Sequence, residues 1–84
     1  MIKTVLNLAF GVMPVLAFAQ TEVQSGRSCG YLLVENRAGK EWATAWYRDG
    51  DSEWCHGHYF ASLAEARADF INRAAKEWKH AVSV

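Results

Sequence analysis

The sequence lacks the length for more than one small domain, and it lacks an excess of charge of either sign. It has 84 residues, with nine Lys and Arg against nine Asp and Glu, so its formal net charge is zero. A chain of this size can build one small hydrophobic core, which excludes a multidomain enzyme. The absence of a basic surplus argues against nucleic acid and against an anionic membrane as partners.

Motifs that carry catalytic chemistry are also lacking. The sequence contains no glycine-rich phosphate loop, no G-x-S-x-G turn and no zinc-finger spacing of Cys and His. It offers no convincing pair of nucleophile and base, and a domain of this size can form only a small pocket. The sequence therefore predicts a protein that is not an enzyme and that needs no cofactor.

The N-terminal apolar run is too short to cross a membrane as a helix. It extends from Thr4 to Ala19, which is 16 residues, whereas a bilayer needs about 20. Lys3 precedes the run, and Ala17 and Ala19 supply the small residues of an A-x-A cleavage site. We predict that residues 1–19 are a cleavable signal peptide, and that the mature protein is secreted or periplasmic without a stable membrane span. An uncleaved anchor and a buried core helix are the alternatives.

The sequence has only two cysteines, Cys29 and Cys55. An even count in a small exported chain favours a disulfide. Closing a loop of 27 residues would stabilise the fold by roughly 3.5 kcal/mol in the chain-entropy model. The predicted sheet places one strand between the two cysteines, about 10 Å apart, so residues 25–30 would have to cross over the sheet to form the bond. Free thiols and metal ligands are the alternatives.

After the signal, the pattern predicts an α+β fold of the order βββα. Residues 20–28 are polar and are expected to form a flexible leader, and residues 29–84 are expected to form a single domain. Three strand-like runs follow one another, separated by turn residues: residues 30–36, 41–48 and 52–60. They predict a small three-stranded antiparallel meander.

The C-terminal part predicts one amphipathic helix. Ser62 followed by Glu65 has the spacing of a capping box at a helix N-terminus. Apolar residues then recur at helical spacing, and they include Leu63, Ala66, Phe70, Ala74 and Trp78. We expect this helix to pack on one face of the sheet.

The turn at Asp49 and Gly50 predicts which side chains share a face of the sheet. Asp-Gly favours a two-residue hairpin of type I′, which would pair Thr44 with Cys55. One face then carries Trp42, Thr44, Trp46, Cys55, Gly57 and Tyr59, and we assign it to the helix.

The opposite face of the predicted sheet has no helix to cover it. It carries Glu41, Ala43, Ala45, Trp54, His56, His58 and Phe60, and Leu32 and Val34 of the first strand are added if the first hairpin has a two-residue loop. Such a surface is too apolar to remain in water. It must contact the leader, another subunit or a ligand.

These features predict an exported binding or interaction module that is stabilised by the disulfide. Its binding surface would consist of Trp54, His56, His58 and Phe60, because aromatic anchors on a rigid strand bind with little loss of entropy. The histidines would make binding depend on pH between about 5 and 7. The partner would be a protein, a peptide or a glycan. A structural protein of the envelope that self-associates as a homodimer through this face is one alternative.

A metal-binding protein is the other alternative. The predicted register places Glu41 opposite His58, with His56 on the same face. Two imidazoles and one carboxylate are a known ligand set for zinc and for non-haem iron. An isolated H-x-H is common by chance, so two solvent-exposed histidines on an edge strand are the simpler interpretation.

Overall fold

The structure is a computed structural model that describes residues 5–8, 11–37 and 39–82, with the backbone alone for residue 7 and residues 77–82. In this part of the chain, five strands precede one helix. They are β1 (Val5–Leu8), β2 (Gly11–Gln24), β3 (Arg27–Asn36), β4 (Glu41–Arg48), β5 (Cys55–Phe60) and α1 (Leu63–Val82). The strands lie in the sheet in chain order, and each pairs antiparallel with the next.

The predicted three-stranded meander is wrong, because the sheet has five strands. The additional strands lie in residues attributed to the signal and the leader, and residues 20–28 form the end of β2, a turn and the start of β3. A short, uncharged apolar run has the composition of a buried strand as well as that of a signal peptide, and periodicity does not separate the two. The removal of residues 1–19 on export stays a prediction.

Strands β2 and β3 approach each other closely at Gly30. Gly30 is the register partner of Gln20, and a Cβ atom at this position would collide with the carbonyl oxygen of Ala19. A glycine inside a strand often marks such a close approach of two backbones. The bond between Ala19 and Gln20, where we predict cleavage, therefore lies within the sheet of the full-length chain.

The hydrophobic core lies on the face of the sheet opposite α1. Its buried members are Leu6, Leu8, Met13, Leu32, Val34, Ala43 and Tyr47, and Val15, Phe18 and Trp54 pack against them. Among the described side chains, α1 contributes none to this cluster. The prediction that Leu32, Val34, Ala43 and Trp54 share the helix-free face is confirmed, and β1 with the first half of β2 covers it.

Helix α1 packs on the other face, over β4. It begins after Ser62, whose hydroxyl accepts a hydrogen bond from the backbone nitrogen of Glu65 at 3.4 Å, as the capping box predicts. Thr44 of β4 is 0% exposed and bonds to side chains of the helix. The prediction that Thr44 faces the helix is therefore confirmed, whereas Tyr59, predicted on the same face, pairs with Ala43 of the opposite face. Trp78, which we expected to pack against the sheet, lies outside the described side chains.

The predicted register between β4 and β5 is wrong. The turn itself forms, since Asp51 donates from its backbone nitrogen to the carbonyl of Arg48 at 3.0 Å. Only Gly50 of the two central residues has a positive φ, 94°, so the turn is not of type I′. β5 begins four residues later, at Cys55. Thr44 therefore pairs with His58, and this shift of three residues moves the side chains of residues 58–60 to the opposite faces. Cys55 pairs with Trp46 and stays on its predicted face.

Candidate functional site

The four residues predicted to form one binding surface do not share a face of the sheet. His58 and Phe60 pair with residues of β4 that lie on the helix side. Trp54, in the loop before β5, packs against the core cluster on the opposite face. His56 lies at an irregularity of β5 between them. The predicted surface is therefore divided, and partner binding by these residues stays a prediction.

A bulge in β5 interrupts the alternation of its side chains. Between Thr44 and Trp46, two steps along β4 correspond to three along β5. His56 has a φ of 55° there, in the left-handed region that residues other than glycine adopt infrequently. Its carbonyl oxygen accepts a hydrogen bond from Nη2 of Arg73 at 2.8 Å, which attaches the bulge to α1.

A polar cluster, defined by Thr44, His58, Asp69 and Arg73, joins the helix to the sheet. Oδ2 of Asp69 accepts a hydrogen bond from Oγ1 of Thr44 at 2.6 Å and lies 2.9 Å from Nδ1 of His58. Nη1 of Arg73 donates to Oγ1 of Thr44 at 2.9 Å. One carboxylate therefore connects β4, β5 and α1.

The environment of Asp69 favours its ionised form. Burial by itself would raise the pKa of the carboxyl, but the hydrogen bonds to Thr44 and His58 and the charges of His58 and Arg73 lower the pKa below its ordinary value. Thr44 both donates to Asp69 and accepts from Arg73, so its hydroxyl is committed to the cluster. These groups bond to one another, which suits a structural connection better than a reaction.

An open cavity of about 320 Å³ lies beside the bulge. Its lining residues are Glu22, Tyr31, Trp46, Cys55 and His56. The guanidinium of Arg73 lies 4.7 Å from the centre of the Tyr31 ring, so the cavity adjoins the polar cluster. Two aromatic rings with a carboxylate and an imidazole could hold a small ligand, and sequence reasoning missed this grouping because it depends on the register of β5.

The predicted metal ligands are not brought together. Oε1 of Glu41 accepts a hydrogen bond from Nδ2 of Asn36 at 3.2 Å, and Thr44 takes the position opposite His58. Within residues 5–8, 11–37 and 39–82, no three His, Cys, Asp or Glu side chains are grouped closely enough to hold a metal ion. The arrangement gives no support to Glu41, His56 and His58 as a ligand set.

The two cysteines are free thiols on different strands. Cys29 is buried in β3 and pairs with Arg48, whereas Cys55 is exposed in β5 and pairs with Trp46. Strand β4 lies between them, as the meander predicted. The disulfide between Cys29 and Cys55 stays a prediction for the oxidised protein.

In the reduced, folded protein, we expect Cys55 to be alkylated much faster than Cys29. Cys29 is 0% exposed, so a reagent reaches it only after local or global unfolding. Timed alkylation followed by peptide mass mapping measures both rates. Equal rates would contradict this arrangement of the strands, and the absence of any reactive thiol before reduction would establish the disulfide.

The helix-free face of the sheet is the second candidate site. We define it by Leu32, Val34, Ala43, Tyr47 and Trp54, which belong to or pack against the core cluster. The indole nitrogen of Trp54 donates to the hydroxyl of Tyr59 at 3.2 Å on the same side. All other members of the cluster precede residue 20.

The fold, the cavity beside the bulge and the helix-free face define a small α+β protein with an antiparallel sheet and one packed helix. No protein-family model, no curated protein and no solved structure matches the chain. In the part of the chain that the structure describes, no helix is both long and apolar enough to cross a membrane.

Proposed function

We propose that this protein is an exported, non-enzymatic binding module whose partner covers the helix-free face of the sheet. One observation carries the proposal. The apolar residues that cover this face are Leu6, Leu8, Met13, Val15 and Phe18, and all of them lie in the segment whose removal on export we predict. The mature protein would therefore present the face without its cover.

Burial of the apolar side chains on this face would contribute a large free energy for so small a protein. Leu32 and Val34 are both 0% exposed in the full-length chain. Full burial of one such side chain is worth about 1.5–3 kcal/mol, so these two alone account for several kcal/mol. Soluble monomers rarely leave a contiguous apolar patch of this kind in water. A partner that covers the face recovers this free energy on binding.

The chemistry of the face favours a protein or a peptide over a glycan. Leu32, Val34 and Ala43 offer no hydrogen-bonding side chain, and the hydroxyl of Tyr47 already donates to the carbonyl of Asp51 at 2.7 Å. Sugars need convergent polar groups for orientation, whereas apolar side chains of a polypeptide need only complementary shape. Trp54 is retained as an anchor from the sequence prediction.

The test compares the exported protein with the full-length chain made in a membrane-free translation system. We expect the exported form to have the mass of residues 20–84 and to enhance bis-ANS fluorescence strongly, whereas the full-length chain does not. The near-UV circular dichroism must remain that of a packed protein, because a molten globule also binds the dye.

Two tryptophan variants of the exported form are the matched controls. Trp54→Ser should lower the dye fluorescence, since Trp54 lies at the helix-free face. Trp42→Ser should leave it unchanged, because Trp42 pairs with Glu35 and Phe60 on the helix side. A full-length mass after export, or equal dye binding by the two forms, would overturn the proposal.

A further inference from the structure

We infer that the partner binds as an extended apolar strand that adds to the edge of β3 and runs antiparallel to it. This inference rests on the proposed function. In the full-length chain, Val15, Ala17, Phe18 and Ala19 pair with β3 at Val34, Leu33, Leu32 and Tyr31. Without residues 1–19, what remains of β2 pairs only with the first part of β3, from Arg27 to Gly30.

The vacated part of β3 is a sheet edge next to an apolar face. An edge strand presents a row of backbone donors and acceptors that favours pairing with another strand. Leu32 and Val34, which are two residues apart on this edge, both belong to the core cluster. A strand that pairs here therefore forms backbone hydrogen bonds and also places its own side chains over the helix-free face.

The segment that occupies this edge in the full-length chain indicates the chemistry of the ligand. Residues 11–19 contain no charged side chain. Val15 and Phe18, which pair with Val34 and Leu32, pack against the core cluster, whereas Val12 and Leu16 are 61% and 47% exposed. The ligand is accordingly an uncharged strand with large apolar residues at the two inward positions, while its outward positions tolerate polar residues.

The closing experiment uses a synthetic peptide of residues 11–19 with a fluorophore and a solubilising lysine tail. Fluorescence anisotropy measures its binding to the exported protein, whose mass has been verified. We expect the peptide to bind, and we expect Phe18→Ser in the peptide to weaken binding at least tenfold. Leu16→Ser is the matched control and should change the affinity less than threefold.

Two methylated peptides distinguish strand pairing from apolar contact alone. One carries N-methyl groups at Ala17 and Ala19, and the other carries one at Phe18. Because alternate backbone N–H groups of a strand point in opposite directions, only one of the two peptides loses hydrogen bonds to β3. We expect that peptide to bind at least tenfold more weakly than the parent, and the other to bind within threefold of it.

The outcomes separate this inference from the proposed function. Equal binding by both methylated peptides would overturn strand addition, as would no binding of the parent peptide to a form that still binds bis-ANS. In both cases the proposed function would stand. A dimer in sedimentation that the peptide does not dissociate would also overturn the inference, because a second copy would then occupy the face. Failure of the dye experiment would overturn the proposed function itself.

Discussion

Leu32→Ala is expected to lower the free energy of unfolding of the full-length chain by about 3 kcal/mol. Leu32 is 0% exposed and lies in the cluster that joins β1, β2, β3 and β4. Truncation of a buried leucine removes its transfer free energy and leaves a cavity, which together cost about 2–5 kcal/mol. Urea unfolding followed by circular dichroism measures the change.

Leu16→Ala is the matched control, because it makes the same chemical change at a position that is 47% exposed. Its expected cost is below about 1 kcal/mol. In the exported form, Leu32→Ala should lower the free energy of unfolding by only about 1 kcal/mol, since residues 1–19 no longer bury the side chain. An equal cost in the two forms would show that the face is still buried after processing, which contradicts the proposed function.

Asp69→Asn is expected to lower the free energy of unfolding by about 2 kcal/mol at neutral pH. The carboxylate accepts from Thr44 and lies against Nδ1 of His58, and its side chain is 22% exposed. Hydrogen bonds to a charged group contribute about 1.5–3 kcal/mol, against about 0.5–1.5 kcal/mol for neutral pairs. The variant retains the shape of the residue and removes its charge. The difference in the free energy of unfolding between the wild type and the variant therefore measures the contribution of the ionised carboxylate.

The effect of Asp69→Asn should disappear in acid. Burial by itself would raise the pKa of Asp69, but the hydrogen bonds and charges of the polar cluster lower this pKa in the folded protein. The stabilisation is therefore fully present above the unfolded pKa, about 3.9, and it is lost as the pH falls through the lower folded pKa. Unfolding curves between pH 2 and pH 7 should show the wild type and the variant converging below about pH 4. Asp49→Asn is the control, and a difference that persists at low pH would contradict this account.

Sequence reasoning succeeded where the signal is local. The capping box at Ser62 and Glu65, the strands β3 and β4 and the helix-free face with Leu32 and Val34 all follow from spacing within a few residues. Side-chain alternation along one strand also assigned Thr44 correctly to the helix side.

The register of β5 could not be read from the turn, because contacts of Asp51, one of them with the distant strand β3, hold the loop after it. Asp51 forms ion pairs with Arg48 at 3.2 Å and with Arg27 of β3 at 2.9 Å. The hydroxyl of Tyr47 also donates to the carbonyl of Asp51. Asp51 is therefore kept in the loop rather than at the start of a strand. The polar cluster around Asp69 depends on this register and was missed for the same reason.

The sequence by itself determined the α+β class, the C-terminal helix and the need to cover a second apolar face. Each of these follows from local periodicity and composition, which act within one element. Only the tertiary structure decided that residues 5–8 and 11–24 form two further strands and that His58, instead of Cys55, lies opposite Thr44. Contacts between residues far apart in the chain determine which strands pair and which residues bury the second apolar face. No single segment of the sequence encodes these contacts.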